Sequence, residues 1–220
     1  KKSQIGVQWG SDASAKADFY SIYPYREDNP VTTTDQMKFS VNMPQSQTCM
    51  INPQTKTASV QKMSTADMYG CFMYAKHTGI SYGTVVKLGY VPLATAIKFT
   101  LQGPSLNNQS CIIQNVKLHA PAAIAGEFTI DLSGSTPKIK AGTGTTTYKD
   151  MEVFARYDNR PGLLGLTAGQ SVELNAFIFL DSDLSEAERT INSNWYLEVT
   201  LSDGTKFKKT LTPSAASGPS

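Results

Sequence analysis

A chain of 220 residues with 40% hydrophobic and 17% charged residues is long enough to bury a core and too apolar to stay disordered. Its formal net charge of +2, with Lys and Arg scattered, forms no basic stripe that could neutralise a run of phosphates, so nucleic acid is not an expected partner. The longest apolar run, residues 176–180, falls far short of the ~20 residues that cross a bilayer as a helix, and Lys1-Lys2 opens the chain without an initiator Met or apolar signal core, which predicts a processed form.

The first candidate element is Ile5-Gly-Val7-Gln-Trp9, whose alternation gives a strand one apolar face. The small, polar Ser11-Asp-Ala-Ser-Ala15 after it can act as a hinge, so Ile5, Val7 and Trp9 are the candidate donor or removable strand. The cluster Phe19-Tyr-Ser-Ile-Tyr-Pro-Tyr25 suits packing on a half-buried strand, with a stacking platform for sugars as its second use.

From residue 67 an Asp-Met entry leads to a strand around residues 85–88. The next is Ala96-Ile-Lys-Phe-Thr-Leu101, where Ile97, Phe99 and Leu101 point one way and Lys98 and Thr100 the other. After a turn cluster at residues 103–108, residues 112–118 repeat the alternation, and Phe128, Ile130 and Leu132 share one face of the strand that follows. Residues 133–147 are polar and rich in turn formers, and they are read as the link between two domains, 1–134 and 135–220.

Beyond the link, residues 151–157 alternate, Pro161-Gly162 is placed in a turn, and Val172, Leu174, Ala176, Ile178 and Leu180 alternate again. Ser185-Glu-Ala-Glu188 has the spacing of a capping box over one helical turn. Trp195, Leu197, Val199 and Leu201 line one face before Asp203-Gly204 turns the chain into a hairpin, and residues 212–220 carry nothing to anchor them in a core. Strand signals dominate throughout, so the fold class is all-β, as two seven-strand-like sandwiches in tandem joined near Ser135.

Candidate chemistry is sparse. Of two histidines, His77 is expected in a solvated turn and His119 on the polar face of its strand. Cys49, Cys71 and Cys111 lack the spacing of a zinc site or disulfide framework and are expected as free, buried thiols. Asp181, Asp183, Glu186 and Glu188 lie close together but have no turn glycine to shape a calcium loop, and no pattern that places two of them across a sugar cleft. Ala141-Gly-Thr-Gly lacks the Lys-Ser/Thr of a phosphate loop, Asn108-Gln-Ser110 is a glycosylation sequon by pattern only, and neither a Gly-x-Ser-x-Gly elbow nor a His-Glu-x-x-His pair occurs. No catalytic residue, cofactor site or metal site is therefore expected, and the chain is read as a non-enzyme.

Six segments, DMY at 67–69, VVKLGYVPLATAIKFTL at 85–101, IIQNVKLHAP at 112–121, AGEFTIDLSG at 125–134, ELNAFIFLDSDLS at 173–185 and NWYLEVTLSDGTKFKKTL at 194–211, succeed one another in an order that resembles the fimbrillin family, the major and accessory fimbrial subunits of Bacteroidetes-type bacteria. The chain departs from the family pattern at Val91-Pro92, where many members carry a His, and at Asp181-Ser182, where a Pro is common. Family members also run on into further strands where this sequence has residues 212–220, so the C-terminal domain is expected to be short or incomplete.

The resemblance implies tandem transthyretin-like or Greek-key sandwiches, and export as a lipoprotein with an outer-membrane lipid anchor on the precursor only. It also implies proteolytic trimming and assembly by strand donation with other fimbrial subunits into surface fimbriae that serve adhesion and biofilm formation, with host or bacterial surface ligands as further partners. The alternative is a non-catalytic carbohydrate-binding surface lipoprotein of a nutrient-uptake system, for which an exposed planar aromatic pair would speak. A hydrolase with unrecognised residues is the third option.

Overall fold

The computed structural model describes residues 12–25, 37–51, 61–62, 64–106, 109–143, 146–157, 160–161 and 164–212. Its strands in chain order begin with β1 (Lys16–Tyr23), β2 (Lys38–Met43), β3 (Ser46–Ile51), β4 (Gln61–Lys62), β5 (Ser64–Ala66) and β6 (Met73–Ser81). They continue with β7 (Val91–Pro92), β8 (Thr95–Gln102), β9 (Ser110–His119), β10 (Ala125–Asp131), β11 (Lys138–Ala141) and β12 (Thr147–Tyr148). The last are β13 (Asp150–Tyr157), β14 (Arg160–Pro161), β15 (Leu164–Thr167), β16 (Ser171–Ile178), β17 (Tyr196–Leu201) and β18 (Lys206–Thr210). Among the described residues helix is confined to a 3-10 turn, Met68–Gly70, and to α1 (Glu186–Arg189). The fold is all-β.

Four sheets form two facing pairs. In the first pair the order β18-β17-β9-β13-β3-β5 faces β4-β16-β8, and the core between them holds Ile97, Phe99, Val116, Leu118, Met151, Val153, Leu174 and Trp195. In the second, β10 lies between β2 and the short strands β11 and β12, facing β1-β6-β7 across Val41, Met43, Phe72, Phe128, Ile130, Leu132 and Phe179. Alternation along strands such as β3, β8, β10 and β16 puts every second side chain into one of these cores, as period two requires. β16 serves both: its Val172, Leu174, Ala176 and Ile178 enter the first core, while its Phe177, with Phe179 just beyond the strand, packs on the second.

The cut expected after residue 134 follows neither the sheets nor the cores. β3, β8 and β9 precede it, yet they pair with β13, β16, β15 and β17, which follow it. Residues 133–147, read as a link, instead carry β11 and β12, both hydrogen bonded to β10. Strand pairing joins residues far apart in the chain, and a composition shift between neighbours carries no record of it.

Several local expectations need the same kind of correction. Residues 84–90 form no strand, and Val85 is 82% exposed; Gly83, with φ +75°, turns the chain, and the aliphatic run there does not alternate. His77 lies within β6 opposite Phe19, not in a turn, because the chain reverses further on at Tyr82-Gly83. Pro161 belongs to β14 and pairs with Arg156, while Gly162 lies outside the described residues.

Residues 112–118 do not alternate throughout. Thr200 faces Asn115 while Leu201 faces Ile113, so β9 holds one extra residue, and Ile113, Val116 and Leu118 are buried while Ile112 is exposed. That is a β-bulge, which shifts the phase of the side chains along a strand.

Other expectations hold. On β8, Ile97 and Phe99 are buried, Leu101 is half-buried and Lys98 and Thr100 are exposed. Ser185 and Glu188 close a capping box over α1, and β17 and β18 form the hairpin around Gly204, whose φ is +86°.

Candidate strand-acceptor groove

The first sandwich is closed on one flank and open on the other. On the closed flank, β16 meets β4 only at Ser171 and Val172. Further along, side chains of β3 take the place of a strand. Gln47, 1% exposed, donates from Nε2 to the Phe177 carbonyl at 2.6 Å and accepts at Oε1 from the Phe177 N–H at 2.9 Å. Cys49 Sγ donates to the Asn175 carbonyl at 2.6 Å and accepts from its N–H at 3.2 Å. A buried backbone group must find a partner, and here a glutamine and a thiol supply it.

On the open flank, β8 is hydrogen bonded to β16 along its whole length, and no described strand pairs with its other edge. The facing sheet runs further, through β17 to β18. Register puts Phe207 opposite Val199 and Lys209 opposite Leu197, so both stand on the inward face of β18. They should be covered by the facing sheet, yet Phe207 is 56% exposed and Lys209 is exposed as well. Among the described residues the sheet β4-β16-β8 therefore stops one strand short of the sheet it faces.

Beside that missing position lies a groove of about 420 Å³. Ile97, Lys98 and Phe99 of β8 form one wall, and Thr190, Ile191, Leu211 and Thr212 the other. Ile191 and Leu211 pack on the first core, so the groove opens on apolar surface. An unpaired strand edge beside apolar surface can take an added strand, which gains ladder hydrogen bonds and buried side chains together. Of the two edges flanking the groove, β18 carries Lys206, Lys208 and Lys209, charges that deter edge pairing, whereas β8 has Lys98 alone.

The residues singled out from sequence are distributed elsewhere. Ile5, Val7 and Trp9 lie outside the described residues. Asp181 accepts from the N–H groups of Ala141 and Asp183, and Asp183 pairs with Lys140, which holds its carboxyl below the usual range. Glu188 is held low by its hydrogen bonds from Ser185. Among the described residues no three His, Cys, Asp or Glu side chains gather as a metal-holding group. Cys49 is buried, whereas Cys71 and Cys111 are free thiols only half-buried, and burial raises the pKa of both of the latter.

His119 stacks on the Tyr196 ring, with centroids 4.3 Å apart and planes at 11°, and Lys208 Nζ sits 3.7 Å from the centre of the same ring. Burial pushes the His119 imidazole below its usual pKa. In the aromatic cluster near the N-terminus, Tyr20 and Ile22 pack on the second core, while Tyr23 and Tyr25 are exposed. Tyr23 meets Tyr90 edge-on, at 6.0 Å and 61°. The open edge of β8 and the uncovered Lys209 leave no signature in the sequence, because an edge strand and a central strand alternate alike.

No family model and no curated protein matches the chain. Among solved structures it is similar to a protein from Bacteroides ovatus ATCC 8483 described as a candidate cell adhesion protein, with 15% sequence identity and a TM-score of 0.42 over 92% of this chain. The chain spans 62% of the length of that protein.

Proposed function

We propose that this chain is a structural subunit of bacterial surface fimbriae, an exported lipoprotein in its precursor form, which assembles by β-strand donation and contributes to adhesion and biofilm formation. The observation that carries the reading is the vacant strand position beside β8, where an eight-residue edge without a described partner borders apolar surface. A sandwich that lacks one strand gains stability when another chain supplies it, which is the requirement for linear assembly from identical or related units. The partners are other fimbrial subunits, the location is the cell surface at the outer membrane, and the role is non-enzymatic. Ile5, Val7 and Trp9 have the alternation that such a strand needs, matching the inward Ile97, Phe99 and Leu101 of β8. Carbohydrate binding is less favoured, because the exposed tyrosine pair, Tyr23 and Tyr90, meets at 61° and offers no flat platform.

A chain trimmed just before Ser11 tests the proposal. It should keep cooperative unfolding and bind an added peptide of residues 1–10, with slowed hydrogen exchange at the β8 amides. Loss of cooperative unfolding, or unchanged β8 exchange at saturating peptide, would overturn the strand-acceptor reading.

A further inference from the structure

The floor of the vacant position carries a charge at its centre. From the groove wall at Leu211, the next two inward positions along β18 are Lys209 and Phe207, giving an apolar, cationic, apolar series. The neighbouring lysines are already engaged: Lys98, in the groove wall, with Glu173 at 3.2 Å, Lys206 with Glu198 at 2.9 Å, and Lys208 over the Tyr196 ring. Among the described residues Lys209 has no ion-pair partner and no strand lying over it, and its side chain is exposed.

We propose that Lys209 is a specificity-determining residue of the strand position beside the groove, and that the strand which fills this position belongs to a different kind of chain, with apolar, acidic and apolar residues at successive inward positions. This rests on the strand-acceptor reading. A strand laid over the floor strips water from the Lys209 ammonium, and an unpaired buried charge is expensive. A carboxylate at the middle inward position turns that penalty into a charge-assisted hydrogen bond, while the lysine stem lies along the apolar surface beside Phe207 and Leu211. Residues 1–10 of this chain offer Ile5, Val7 and Trp9 instead, which sets an aliphatic side chain against the ammonium. The groove is thus biased against the chain's own segment, and specificity arises from the unpaired charge that the wrong strand leaves behind.

The test titrates the full 220-residue chain with two synthetic peptides, residues 1–10 unchanged and the same peptide carrying Val7→Glu. The acidic peptide should bind about tenfold more tightly at low salt. Lys209→Leu should reverse the preference; because the side chain is exposed, its thermal unfolding should match that of the parent chain. Equal affinity of the two peptides, or a preference that survives Lys209→Leu, overturns the charge selection while leaving strand acceptance intact. If neither peptide binds and β8 amide exchange is unchanged, strand acceptance itself falls.

Discussion

Phe99 is 5% exposed in the first core, while its neighbour Lys98 reaches solvent and pairs with Glu173 at 3.2 Å. Phe99→Ala leaves a cavity and should cost about 3–5 kcal/mol, measured from urea midpoints. Lys98→Ala removes an exposed ion pair and should cost about 1 kcal/mol or less. Equal effects would refute the register of β8. His119 gives a pH dependence. Its folded pKa is depressed by burial against an unfolded value of about 6.5, so the unfolded chain takes up the proton first as pH falls. The stability contributed by keeping this imidazole neutral is present above pH ~6.5 and is lost below it. Urea midpoints should fall from about pH 7.5 to about pH 5.5, and His119→Gln should flatten that fall.

At the scale of elements, the hydrogen-bonding role of each strand depends on a few backbone positions. Gly126 is the second residue of β10, where Met43 of β2 pairs on one side and Thr147 of β12 on the other. Its φ is +93°, and a Cβ there would collide with the Thr146 carbonyl oxygen. Gly126→Ala must therefore shift backbone as well as adopt a strained angle, and should cost about 3 kcal/mol or more. Gly204 in the β17–β18 turn also has a positive φ, +86°, but a Cβ added to it would meet nothing within 4 Å. Gly204→Ala should cost only about 1–2 kcal/mol. Chemical unfolding of the two variants separates steric conflict from backbone preference.

For the whole molecule, both cores draw on residues from either side of position 134. Met151, Val153, Leu174 and Trp195 complete a core begun by Ile97, Val116 and Leu118, and Phe179 completes the one built on Phe128 and Ile130. Fragments 1–134 and 135–220 made separately should each fail to unfold cooperatively by calorimetry. A half that unfolds as the intact chain does would contradict the shared cores. Because β3 must find β13 and β8 must find β16, loop closure precedes most of the favourable contacts, and refolding should run on the millisecond-to-second scale or slower.

Whatever depends on neighbours in the chain was legible in the residue pattern. Period two placed Ile97, Phe99, Phe128, Ile130, Val172 and Leu174 inward, Asp203-Gly204 specified a hairpin, and Ser185 with Glu188 capped one helical turn. Each of these rests on contacts within a few residues. Which strands become partners was settled by long-range packing, because pairing energy is contributed by segments far apart and any two alternating strands are locally alike. That is why residues 138–141 proved to be a strand beside β10, why the bulge in β9 turned Ile112 outward, and why Gln47 came to bind the backbone of Phe177. The open edge of β8 arose in the same way: a strand's own residues fix which side chains point inward, but only the assembled sheets determine whether its outer backbone groups find a partner.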